Sequence, residues 1–405
     1  MSSLWISLTP WALALASACG GDASTTPLTP LPPITPQGRG DFKPLRITAE
    51  VAVRGTTAYT TTWGNSAAAA SVFHIWNVAG GAPRLVDSVR VDDAITLGDV
   101  AISDDGTLLV IATEGSNAGL AIYSITDPLR PVAIARYSSA NTSAGVHTAE
   151  LGRVNGTLYG FLAVDPTASR ASHLVVVDLS VPAAPVEVLS RDLGRPFIHD
   201  TFVRDGLLFL ALWDDGLAIW DIGGGGAGGT VRAPVELGRL RTVNGAVHNV
   251  WWLKDPVTGI ARYALVGEEG AGRVGLSSSG DVHVVDISTP SAPREVAYYT
   301  VPGAGAHNFS VDEQRGILYA AYYNGGVRAL DVRGDLGTCP DSQRAIPANG
   351  TAALCELTRM GRQLKVELLD RSVPVYIWGV QYLDGAVYAS DMLNGLWKLP
   401  ASSRP

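Results

Sequence analysis

"FIHDTFVRDGLLFLALWDDGLAIWDIG", residues 197–223, decides the architecture of this chain. Two apolar runs, "LLFLAL" and "LAIWDI", are set off by the turn sequences Asp205-Gly206 and Asp214-Asp215-Gly216. Short aliphatic and aromatic runs split by such turns read as antiparallel strands rather than helices. The pair His199-Asp200 stands directly before the strand pattern begins.

The stretch recurs along the chain. Copies read "LGDVAISDDGTLLVIATEGSNAGLAIYSI" from Leu97, "VHTAELGRVNGTLYGFLAV" from Val146 and "VHNVWWLKDPVTGIARYALVG" from Val247. Others read "AHNFSVDEQRGILYAAYYNGGVRALDV" from Ala306, "IWGVQYLDGAVYASDMLNGLWKL" from Ile377 and "AEVAVRGTTAYTTTWGN" from Ala49. That makes seven copies at a period of about 49 residues, most of them running through a fourth strand such as "PREVAYYTV". Four-stranded units repeated in this way indicate an all-β fold, a β-propeller of seven blades. The last copy stops after three strands, and "FKPLRITAE", residues 42–50, reads as an orphan fourth strand able to close the ring. The expected division is a signal at 1–18, a Pro/Gly/Thr-rich tether at 19–41 and one propeller domain at 42–402. Within the domain a cysteine-containing insertion spans about 333–361.

Composition narrows the class. With 46% apolar and 17% charged residues the chain is globular, not disordered. Its net charge of -8 argues against nucleic acid as a partner. Near the start, "LWISLTPWALALASAC" is an apolar run too short to span a membrane. It resembles a bacterial lipoprotein signal, which implies lipidation of Cys19 and anchoring by lipid only. Ala16 stands where such signals usually have leucine, and no Lys or Arg precedes the run. An ordinary secretory signal is the other reading. Either way export is expected, to the outer membrane, the cell surface or the periplasm. Cys339 and Cys355 are then expected to pair in an oxidising compartment. "RGD" at residues 39–41 reads as a chance tripeptide.

The linker between third and fourth strands is distinctive: "SITDPLRP" from Ser124, "DLSVPAAP" from Asp178 and "DISTPSAP" from Asp286. With the strand "LVVVD" before it, this resembles the LVIVD-repeat family of bacterial and archaeal surface proteins. The resemblance implies a surface or periplasmic propeller and no defined activity. The prolines themselves read as scaffold, since they remove donors where the chain crosses a sheet edge.

Following His199 around the repeat gives Ala49, Gly98, His147, His199, His248, His307 and Trp378. Four of the seven histidines thus share one position, at the start of the innermost strand. The other three, His74, His173 and His283, fall in third strands and look incidental. Convergence of His147, His199, His248 and His307 near the axis would suit a transition metal such as iron or zinc. The reading preferred over metal is structural, in which each histidine and the Asp, Asn or Thr after it bonds the adjacent blade or turn, or the histidines line an empty channel; an organic ligand is the remaining alternative. Glu268 and Glu269 are expected to be solvated in a flexible loop, and Trp378 to wall the channel mouth. No G-x-S-x-G, H-E-x-x-H or phosphate loop is present. The expectation is a monomeric, non-enzymatic scaffold binding a protein or glycan on its face, the alternative being a metal-dependent enzyme.

Overall fold

In the computed structural model the described residues are 37–40, 46–64, 71–115, 117–194, 197–255, 258–270, 279–367 and 373–402. They form seven sheets, each built on four antiparallel strands, that follow one another in chain order. The innermost strands are Ile47–Arg54, Thr96–Ile102, Val146–Val154, Asp200–Arg204, Val247–Leu253, Phe309–Asp312 and Ile377–Leu383. Each packs against the next, and Ile377–Leu383 packs against Ile47–Arg54, so the ring is closed. The expected signal, Cys19 and most of the expected tether lie outside the described residues.

Strand alternation explains why the ring holds. Along Ile47–Arg54, Val51 and Val53 join a core with Ala386, Tyr388 and Leu396 of blade seven. Ala52 points the other way and joins Leu97, Val100 and Ile111 of blade two. Side chains with a period of two feed two interfaces, so both faces of every blade are buried. The same division gives a separate core between every pair of neighbours.

Closure differs from the sequence expectation in one respect. Residues 47–54 are the innermost strand of blade one, so 42–50 cannot also complete blade seven. The closing strand lies upstream, at Gly38–Arg39, where Gly38 pairs with Lys398 and Arg39 with Trp397. Close approach demands glycine there. A Cβ on Gly38 would sit 2.5 Å from Ala82 Cβ, and one on Gly40 would sit 2.4 Å from the Trp76 ring. The Arg39 guanidinium lies 5.2 Å from the Trp397 ring centroid, so the first two residues of "RGD" have a structural role.

An aspartate at the end of the third strand organises the connection to the fourth. Asp178 accepts the Ser180 N–H at 2.8 Å and Asp286 accepts that of Ser288 at 3.0 Å, starting each proline-bearing linker with an Asx turn. In blade four the equivalent Asp221 accepts backbone N–H groups of Gly223, Gly224, Gly225, Ala227 and Gly229, which shapes the glycine loop.

The insertion in blade six is more than a loop. Its strands Arg344–Ala345 and Leu354–Glu356 extend the sheet of blade five, with Cys355 paired to Ala297. The outer strand of blade five, Arg294–Tyr299, is buried from Val296 to Tyr299, whereas the outer strands of blades one to three are largely exposed. An apolar outer edge needs a cover. The insertion supplies it, and the disulfide Cys339–Cys355 ties it down.

Candidate functional site at the propeller axis

A repeated backbone irregularity creates the site. In blades one, two, three, five and seven the pairing of the first two strands slips at Thr48/Val51, Leu97/Val100, Val146/Thr148, Val247/Asn249 and Ile377/Gly379. In blade four His199 N–H bonds Ala211 O, while Asp200 is paired with the same Ala211. In blade six His307 and Asn308 both bond Ala321. Each blade thus places an extra residue opposite one partner, a β-bulge, which re-aims a side chain that would otherwise enter a blade core. The bulged residues include the aligned positions Ala49, Gly98, His147, His199, His248, His307 and Trp378. Blade two has no room for a side chain there, because a Cβ on Gly98 would meet His147 O at 2.0 Å.

The four imidazoles form a continuous arc. His147 Nε2 lies 3.0 Å from His199 Nε2, and ring centroids are 3.7 Å apart for His199–His248 and 4.0 Å for His248–His307. Trp378 continues it at 4.6 Å from His307, and Trp63 stands 5.7 Å beyond. His199, His248 and His307 are buried, and His147 is nearly so.

A second ring, from the residue that ends or follows the second strand, surrounds this arc. Register assigns Trp63, Glu114, Asp165, Trp213, Glu269, Tyr323 and Met392 to it. Glu114 Oε1 lies 3.2 Å and Asp165 Oδ1 4.0 Å from His147 Nδ1. Trp213 stacks on His199 at 5.5 Å, and Tyr323 lies 4.9 Å from His307 while donating to Glu269 at 2.7 Å. Trp213 and Tyr323 hold positive φ values of 46° and 40°. Bulky residues avoid that region, and such strain concentrates at functional sites.

Burial sets the charge of the layer. It pushes His199 and His248 well below the usual imidazole range, with the neighbouring imidazoles adding to the effect, and takes His307 to about 3. His147 is the exception: burial would lower it, but Glu114, Asp165 and Glu269 raise it. The arc therefore holds one favoured place for positive charge, at the His147 end.

Residues one, three and five steps further along the inner strands line a cavity of about 370 Å³ in the channel. Glu50, Asp99, Glu150 and Asp200 face it, with Asn249, Asn308, Phe202, Trp251 and Arg204. Arg204 bonds Glu313, and its guanidinium stacks on Phe202 at 5.1 Å and Trp251 at 5.8 Å. Its charge is already matched, so four carboxyls dominate the cavity. Burial together with mutual repulsion through Asp200 raises Glu50 to about 7, Glu150 to about 8 and Asp99 well above the carboxylate range.

The histidines expected to share one position do converge. The structural reading also finds support, since His199 Nδ1 and His307 Nδ1 donate to His248 O and Trp378 O of the next blade, at 3.1 and 2.6 Å. Thr148 likewise donates to His199 O at 2.6 Å. Two expectations are corrected. Glu268 and Glu269 are not solvated: they are 0% and 7% exposed, because both sit where the second strand enters the axial layer. His283 is not incidental. It lies fully buried between Glu268 Oε2 at 2.8 Å and Glu295 Oε1 at 2.6 Å, and these carboxylates outweigh burial and raise it well above its usual range. The acidic second ring was missed as a whole, although the repeat alignment followed one strand further contains it.

The LVIVD repeat model matches residues 168–192 and 278–301, which hold the third and fourth strands of blades three and five with their proline-bearing linkers. The chain therefore carries LVIVD repeats. Among solved structures it is similar to the β-propeller domain of Cps50 (Swd1) from Myceliophteria thermophila, with 12% identity over 89% of this chain and 98% of that one, at a TM-score of 0.54. Sqt1 from Saccharomyces cerevisiae matches with 10% identity over 93% and 87%, at 0.53. The C-terminal WD40 domain of Sif2 matches with 11% identity over 88% and 82%, at 0.50. These likenesses are to the fold. No curated protein matches in sequence.

Proposed function

We propose that this protein is an exported, lipid-anchored binding scaffold whose propeller takes a cationic group of a protein ligand into its channel. The observation that carries this reading is the cavity of about 370 Å³ faced by Glu50, Asp99, Glu150 and Asp200, whose one lining arginine is already paired with Glu313. A lysine or arginine side chain entering it would restore the ionised state of carboxyls that burial otherwise protonates, and the rings of Phe202 and Trp251 would flank its stem. Propeller folds of this kind commonly mediate protein interactions, which supports a ligand of that class. Support for the anchor is the apolar run ending at Cys19, whose lipidation would tether the propeller to a membrane through its N-terminal segment.

The test has two arms. Cys19→Ala should move the protein from the membrane to the soluble fraction; unchanged fractionation refutes the anchor. Calorimetry should detect tri-lysine binding to the wild type but not binding of its fully acetylated counterpart. The double variant Glu50→Gln, Glu150→Gln should weaken tri-lysine at least tenfold. Equal affinity for the charged and acetylated peptides refutes the cationic ligand.

A further inference from the structure

The tautomers of the histidine arc can be read from their outer partners. His147 Nδ1 faces Glu114 Oε1 at 3.2 Å, His199 Nδ1 faces His248 O at 3.1 Å and His307 Nδ1 faces Trp378 O at 2.6 Å. Carboxylate and carbonyl oxygens only accept, so each Nδ1 carries a proton and, in the neutral ring, each Nε2 presents a lone pair. Second-sphere acceptors of this kind orient metal-binding histidines.

Two consequences need a cation. First, His147 Nε2 and His199 Nε2 bring two lone pairs to 3.0 Å, a repulsive contact unless something positive lies between them. Nitrogens bound about 2.0–2.1 Å from one tetrahedral ion stand about 3.3–3.4 Å apart, so the pair needs to open by only about 0.3 Å to share one. Second, neither ring nitrogen of His248 has a hydrogen-bond partner among the described residues, although the residue is only 2% exposed. A buried imidazole nitrogen left without a partner is destabilising, because its lost water is not replaced. Ligand atoms of His199, His248 and Glu269 lie within 4.8 Å of one another, with Glu269 oriented by the Tyr323 hydroxyl. A proton shared between His147 and His199 would relieve the first contact, but it would leave His248 with two unpartnered nitrogens.

We propose that His199, His248 and Glu269, whose ligand atoms already lie together, bind one divalent first-row transition ion on the propeller axis, with His147 joining as a fourth donor through its contact with His199, and zinc(II) or iron(II) suited to this donor set. His307 packs on the His248 ring and holds it in place. Glu114 is a positioning residue, fixing the His147 tautomer. The proposal is independent of the cationic ligand, which occupies the carboxyl-lined cavity instead.

The full-length protein, stripped with a chelator and shown by circular dichroism to be folded, is titrated with cobalt(II) and then zinc(II). One equivalent of cobalt(II) should bind with visible d–d absorption that zinc(II) abolishes by displacement. His199→Ala and His248→Ala should each lose binding more than 100-fold. Glu114→Gln, which keeps every ligand, should weaken it about 10–100-fold. Absence of stoichiometric cobalt(II) and zinc(II) binding by the folded wild type overturns the proposal, and so does unchanged affinity in both folded alanine variants. If the alanine variants do not fold, Glu114→Gln decides: an unchanged dissociation constant overturns it.

Discussion

Glu150 holds its proton until the pH reaches about 8, because burial and the Asp200 charge outweigh the help of Arg204. In the unfolded chain a glutamate titrates near about 4.3. Between these values the folded protein binds more protons than the unfolded one, so stability falls as pH rises through the window. Glu50, raised to about 7, adds to the same slope over a narrower range. The melting temperature should therefore be lower at pH 8.5 than at pH 5, and Glu150→Gln should flatten the decline and be the more stable protein at pH 8.5. A wild type equally stable at both values would contradict the buried-acid reading. At this scale the sequence disclosed His147, His199, His248 and His307 through their shared repeat position. Glu269 stayed hidden because "GEEG" looks like a solvated loop, and only the strand register places it in the axial layer.

The insertion within blade six shows what an element contributes beyond its own strands. Leu336, Cys355 and Leu357 belong to the core between blades five and six, and Leu354–Glu356 runs parallel to the apolar outer strand Arg294–Tyr299. Cys339→Ser with Cys355→Ser opens a loop of 16 residues in sequence separation. That should lower stability by about 3 kcal/mol, measured as a shift in the denaturant midpoint without loss of the propeller's circular dichroism. The pairing of the two cysteines was legible, since no others remain after Cys19. The added strands were not, because a two- or three-residue pairing leaves no periodicity to detect and its partner lies in another repeat.

For the whole molecule, repeat counting was enough to obtain seven blades and a ring sealed by the N-terminal part of the chain. It misplaced the sealing residues, since "LRITAE" has the composition of any strand and only the competition for residues 47–50 shows that blade one takes them. Gly40→Val, which drives a side chain into the Trp76 ring, should cost about 1–3 kcal/mol. A chain starting at residue 46 should melt lower still and aggregate through the bared edge of Gly395–Pro400. Size-exclusion chromatography and thermal melts of the two variants check this; unchanged behaviour in both would remove Gly38–Arg39 from the account. The position of that short strand also bears on the order of assembly. The four antiparallel strands of each of blades one to six follow one another in the chain, so each has them as soon as its own segment is made. Only the two short strands added to blade five come later, from the insertion in blade six. Blade seven alone joins the two extremes of the chain, bridging a loop nearly as long as the protein, and it waits until Leu399 has been synthesised and delivered. A product cut off before Gly395–Pro400, however well its early blades form, has no strand for Gly38–Arg39 to pair with, so ring closure depends on synthesis through that last strand.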